Sequence, residues 1–148
     1  MSSYVSATLR QLVAERAEYL FEYYLLHEED TFFGCEVDHI ISEKHGGPTV
    51  AENLAYACAF CNRAKGSDVG SIVRRTGTFS WFFIPRIDRW AEHFVLDGVT
   101  IIPLSDIGEV TARILDFNDP DRVLERQTVH GIGRYPSVAA LVRMTEHT

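Results

Sequence analysis

Apolar side chains recur at near-helical spacing through residues 5–26, at Val5, Leu9, Leu12, Val13, Leu20, Phe21 and Tyr24. That period predicts one amphipathic helix, with Ser6 or Ser3 as its cap. The acidic run at residues 27–30 reads as a loop. Residues 31–41 are rich in aromatic and β-branched side chains and predict a strand. Two glycines and a proline in residues 43–48 predict a turn. Residues 54–58 (LAYAC) predict a returning strand, and a helix from Cys61 onward would carry Asn62 and Lys65 on neighbouring positions of one face. This periodicity supports an α+β class and nothing finer.

The second half predicts an aromatic strand over 77–84, a helical turn within 85–93, and a hairpin over 94–99 turning at Asp97-Gly98. Ser105-Asp106 caps a helix reaching Phe117, Asp119-Pro120 opens another reaching Thr128, and residues 137–144 predict a last helix. No repeat, low-complexity run or linker interrupts the chain. A single domain over 1–148 is expected.

Composition narrows the class. Hydrophobic content of 46% and charged content of 24% describe an ordinary soluble globular protein. No apolar run approaches a membrane span. The N-terminal MSSYVSATLRQL lacks an apolar core or cleavage-like site, so no secretory signal is expected and the cytoplasm is the expected location. Three cysteines, two of them in a C-x-x-C, suggest reduced thiols or metal rather than a disulfide frame. A net charge of -7 argues against promiscuous, charge-driven DNA binding. The charge is uneven, however. Residues 63–89 hold six bases (Arg63, Lys65, Arg74, Arg75, Arg86, Arg89) against Asp68 and Asp88, which is either a phosphate-facing patch or a mixed solvated surface.

The candidate chemistry lies in residues 35–68, CEVDHIISEKHGGPTVAENLAYACAFCNRAKGSD. An oxygen ligand beside a histidine, followed by two asparagines, suits one hard metal ion and one general base. Each element has a structural rival: Asp38-His39 as a plain pair, Asn53 as a cap, Lys65-Gly66 as a helix end. The combination D-H-I-I, a GG loop, N-L, C-x-x-C-N and K-G, all in order, resembles the HNH nuclease motif. The tail, with P-R-x-D-x-W-x-E-H-F, is similar to that of small bacterial, often cyanobacterial, stand-alone HNH endonucleases. The resemblance implies a ββα-metal core (about 18–76) behind an N-terminal helix, with a strand-plus-helix extension (about 77–148).

It also implies a metal-dependent endonuclease acting on DNA. His39 would be the general base, since a neutral imidazole can take a proton from water near neutral pH. Asp38 and Asn62 would be oxygen ligands for Mg²⁺ or Mn²⁺. Asn53 would brace the loop and orient the base. Lys65 and Arg63 would contact phosphate and His45 substrate. Adjacent strand residues point to opposite faces, so Asp38 and His39 share a site only where the strand ends or bends, as the resemblance implies. The alternative is a non-cleaving nucleic-acid-binding or protein-interaction module on the same scaffold, and RNA cleavage is a third option. Oligomeric state and substrate sequence are not legible.

The chain departs from the family at one corner. Many relatives hold a structural zinc with two C-x-x-C pairs. Cys58 and Cys61 supply one pair, but Phe21 and Tyr24 stand where the other would be. A closed zinc site takes four N or S ligands. Cys35 lacks a partner at zinc-like spacing and His27 sits in an acidic loop, so zinc is doubtful. Phe21 and Tyr24 are expected to fill its volume as buried core beside Cys58 and Cys61.

Overall fold

A computed structural model describes residues 4–31 and 34–146. Helix α1 (Ala7–Arg16) starts where the Ser6 hydroxyl accepts from Leu9 N–H at 3.1 Å. Ser3, the other possible cap, lies outside the described residues, as do Phe32 and Phe33 of the expected strand. The helix stops well short of residue 26. Tyr19 N–H donates to Ala14 O and Glu18 N–H to Glu15 O, with Glu18 in the left-handed region at φ 56°. That is a Schellman ending built without glycine. The physical reason follows in the sequence: Leu20, Phe21 and Tyr23 to Leu26 are apolar or aromatic, and all are buried. A helix buries one stripe, whereas this run is enclosed on every side. It forms instead a tight turn in which Phe21 N–H donates to Leu26 O and Leu25 N–H to Phe21 O.

Strand β1 (Cys35–His39) pairs antiparallel with β2 (Leu54–Cys58), Asp38 opposite Ala55 and His39 opposite Leu54. Helix α2 (Ala59–Lys65) follows at once, with the Cys58 Sγ accepting from Cys61 N–H at its start. These elements are the expected ββα unit. A hairpin of β3 (Gly70–Ile72) and β4 (Phe79–Trp81) comes next. β3 was not expected, because three residues beginning with glycine carry no period. Helix α3 (Trp90–His93) leads into the hairpin of β5 (Phe94–Asp97) and β6 (Thr100–Pro103), which turns at Gly98 as the sequence indicates. Helices α4 (Asp106–Ile114), α5 (Pro120–Gly131) and α6 (Val138–Thr145) are capped by Ser105, Asp119 and Ser137. Among the described residues no helix is long and apolar enough to cross a membrane.

One hydrophobic cluster runs through both halves. It joins Phe21, Tyr24, Cys58 and Cys61 to Trp90, Phe94, Ile101, Leu115, Phe117 and Val129. Two arginines of α5 are buried within it. Arg126 donates to Val99 O, Phe117 O and Asn118 Oδ1 and lies 4.9 Å from the centre of the Tyr24 ring. Arg122 lies 4.5 Å from the centre of Phe60.

Phe21 and Tyr24 are fully buried and meet edge to face. The Tyr24 hydroxyl donates to Glu125 Oε1 at 3.1 Å and lies 3.6 Å from Cys58 Sγ. A hydrogen bond with the Cys61 side chain and others from Tyr24 and the backbone lower the Cys58 pKa, while burial raises that of Cys61. Aromatic packing and hydrogen bonds therefore occupy the corner where the family resemblance implies zinc. The melting temperature is expected to be unchanged in a strong chelator. Chelator-induced unfolding, or one zinc per chain by elemental analysis, would overturn this account of the corner.

Candidate active site

The site is assembled at the end of the β1–β2 ribbon. β1 terminates at His39, so Asp38 and His39 lie where the strand gives way to loop. Alternation places Glu36 and Asp38 on one face of β1. On α2, Asn62 and Lys65 are three residues apart and share a face. The two faces meet pairwise. Asn62 Nδ2 donates to Glu36 Oε2 at 2.6 Å, and Lys65 Nζ lies 3.2 Å from Asp38 Oδ2. Lys65 Nζ also donates to the His39 carbonyl at 3.0 Å. Lys65 is only 2% exposed, so it is part of the site's interior framework.

Asp38 is buried, and its Oδ2 has the Lys65 charge nearby but no hydrogen bond. Burial raises its pKa and the ammonium of Lys65 partly offsets that. His39 is half-buried. Its Nε2 lies 2.9 Å from Thr49 Oγ1 and 3.6 Å from Glu43 Oε1. When Nε2 carries the proton and donates to Thr49, Nδ1 keeps a lone pair free to accept one. Thr49 and Glu43 had no signal in the sequence, because a threonine in a loop and one acid among many resemble ordinary surface.

The loop carrying Thr49 is held by Asn53. Its Oδ1 accepts from Ile41 N–H, and its Nδ2 donates to Ile41 O and Pro48 O, each at 2.9 Å. Asn53 is thus bonded to loop backbone on all sides, the bracing geometry the resemblance implies. Gly47 completes the closure. A Cβ there would sit 1.7 Å from Ile41 O and 2.9 Å from Asn53 Nδ2, so only glycine lets the backbone approach. Arg16 donates to Ala51 O and Leu54 O, fixing the chain on both sides of Asn53. Arg63 on α2 and His45 in the short 3-10 turn Glu43–His45 are exposed beside this framework.

A family model described as HNH endonuclease matches residues 27–68. Those residues are an HNH endonuclease domain. No curated protein and no solved structure shows a significant match to the chain. HNH nucleases act on nucleic acid, and the family typically uses a divalent metal. Among the described residues there is no cluster of three or more His, Cys, Asp or Glu side chains able to hold an ion. Mg²⁺ does not require one, because it commonly takes one or two carboxylates and completes its shell with water and substrate phosphate. The Asp38 Oδ2, buried and without a hydrogen bond, fits that requirement.

Two predictions follow from the framework. Asn53→Ala removes three hydrogen bonds and leaves a buried amide unpaired, which costs about 3 kcal/mol. Hydrogen exchange of residues 41–48 should speed up while the rest of the HNH unit keeps its protection. Unchanged loop protection would refute the bracing role. Lys65→Met leaves Asp38 buried without its counter-charge, so its already raised pKa rises further. A buried acid with a raised pKa contributes stability at low pH that is lost as pH rises through that pKa. The variant should therefore match the parent in urea titrations in acid, then fall behind by about 3 kcal/mol once Asp38 ionises. A deficit independent of pH would show that Lys65 does not serve Asp38.

Proposed function

We propose that the chain is a metal-dependent endonuclease that hydrolyses phosphodiester bonds in DNA. The observation carrying this reading is the buried Asp38 carboxylate, its Oδ2 3.2 Å from the Lys65 ammonium, next to His39, whose ring lies 2.9 Å from Thr49 Oγ1. His39 Nδ1 would take the proton of the attacking water. Thr49 and Glu43 hold the ring and favour the imidazolium that results. Asp38 and Asn62 would hold Mg²⁺, or Mn²⁺ in its place. When bound, such an ion neutralises charge on the phosphate and on the leaving oxygen. Asn62 would ligate through its Oδ1 while its Nδ2 donates to Glu36 Oε2. Arg63 and His45 are placed to meet backbone phosphate from solvent. Lys65 reaches no further than Asp38 and the His39 carbonyl, so its contribution is to the charge and position of both.

One observation favours the rival reading of a non-cleaving module on the same scaffold. Asp38 Oδ2 already has the Lys65 ammonium 3.2 Å away, so that ligand has an internal counter-charge. Incubation of the purified protein with supercoiled plasmid and Mg²⁺ or Mn²⁺ decides between them. Cleavage should appear with either ion, stop in EDTA, and fall by about 10²–10⁴ in His39→Ala with an unchanged circular dichroism spectrum. Metal-independent cleavage, or cleavage that survives His39→Ala, would reassign the chemistry. Plasmid retained on the protein but never cut would establish the non-cleaving module.

A further inference from the structure

The β3–β4 hairpin carries two aromatic rings that the core does not use. Ile72 pairs with Phe79 and Gly70 with Trp81, so Ile72, Phe79 and Trp81 share one face. All three are exposed, Phe79 at 54% and Trp81 at 49%. The opposite face, with Ser71 and Ser80, is half-buried where the hairpin packs on α4. A sheet face that turns serine inward and tryptophan outward reverses the usual arrangement.

The rings are also fixed in place. Phe79 and Trp81 meet edge to face with centroids 5.9 Å apart. Phe79 lies over Gly70, where a Cβ would fall 2.2 Å from Ser80 O and 2.6 Å from Phe79 Cζ, so glycine serves the strand pairing as well as the ring. Gly70 thus leaves the space that lets Phe79 fold against Trp81. The pair is ordered in advance, which lowers the entropy lost when a ligand covers it.

Position and charge point to the occupant. Trp81 lines one crevice with Ile41 and Lys65, the lysine that pairs with Asp38, so the aromatic face continues from the HNH site. The hairpin tip presents Arg74 and Arg75, both exposed. Arg74 has no hydrogen bond or ion pair among the described residues, and Arg75 has a solvent-exposed pair with Asp106 at 3.4 Å. Arg63 is exposed on α2, and Asp68 is the exposed acid nearest in sequence. Rings flanked by arginines suit bases joined by phosphates, because every base offers a π-face and every linkage a charge. Three apolar side chains fall far short of the roughly 800 Å² per partner of a stable dimer.

We propose that this face of the hairpin is a stacking platform for an unpaired nucleobase of the substrate strand, with Arg74 and Arg63 meeting the adjoining phosphates. It deepens the nuclease reading and rests on it for the identity of the ligand. Trp81 supplies the stacking surface, Phe79 holds it, and Gly70 makes room for Phe79. The strand is thereby gripped beside Asp38 and His39.

Titration of the full chain with a single-stranded oligothymidine in EDTA tests this. Binding should quench the fluorescence of exposed Trp81 while buried Trp90 keeps its emission. Trp81→Ala should weaken binding about tenfold or more, and Trp81→Phe, which keeps a ring, should largely restore it. Absence of quenching, or equal affinity in Trp81→Ala, overturns the platform. So does a concentration-dependent dimer that Trp81→Ala abolishes, which would make a second copy the occupant. Plasmid cleavage is scored separately. Cleavage without quenching would leave the nuclease and remove the platform, and quenching without cleavage would do the reverse.

Discussion

The side chain of Asn53 is the constraint on which the site depends. Three hydrogen bonds close the 41–48 loop onto the start of β2 and so fix Thr49, which in turn orients His39. The carboxamide can do this because both its polar atoms point at backbone that the closed loop would otherwise leave without partners. Gly47 supplies the clearance and Arg16 anchors the neighbouring carbonyls. Nothing in this chain of contacts needs a metal. The His39 ring is therefore positioned by contacts within the protein.

A second constraint is the buried charge around the aromatic corner. Arg126 is fully enclosed, yet its donors meet two carbonyls and an amide oxygen, and its plane lies near the Tyr24 ring. Burying a cation is costly unless it is hydrogen-bonded. Here the bonds knit α5 to the β5–β6 turn and to the segment after α4. Tyr24 extends the network through Glu125. At the corner where the resemblance implies zinc, this chain packs a phenol, a carboxylate and two guanidinium groups against rings.

Much of this was legible in the sequence. β2, α2 and the caps Ser6, Ser105 and Asp119 followed from local chemistry, because a cap or an apolar run announces itself within a few residues. The long first helix did not survive, since a run from Leu20 to Leu26 that is apolar or aromatic at every position but Glu22 signals enclosure on all sides rather than a stripe. β3 was invisible because its pairing with Phe79 to Trp81 is set by the partner strand and not by its own residues. At the site, residue types were readable but partners were not. Nothing local in the sequence tells that Lys65 turns inward to Asp38 while Arg63, two positions earlier, faces water. That distinction comes from which face of α2 meets β1.

The shared core separates what is recognised from what folds. Residues 27–68 carry the recognisable pattern, yet Cys58 and Cys61 share one buried cluster with Phe21 and Tyr24 before that span and with Leu115, Phe117 and Val129 after it. The β1–β2 ribbon thus borrows its interior from both flanks. A segment cut at the limits of the match would present an open hydrophobic wound to solvent and lose the footing of the ribbon. Moving this chemistry into another protein means moving the upholstery of helices with it.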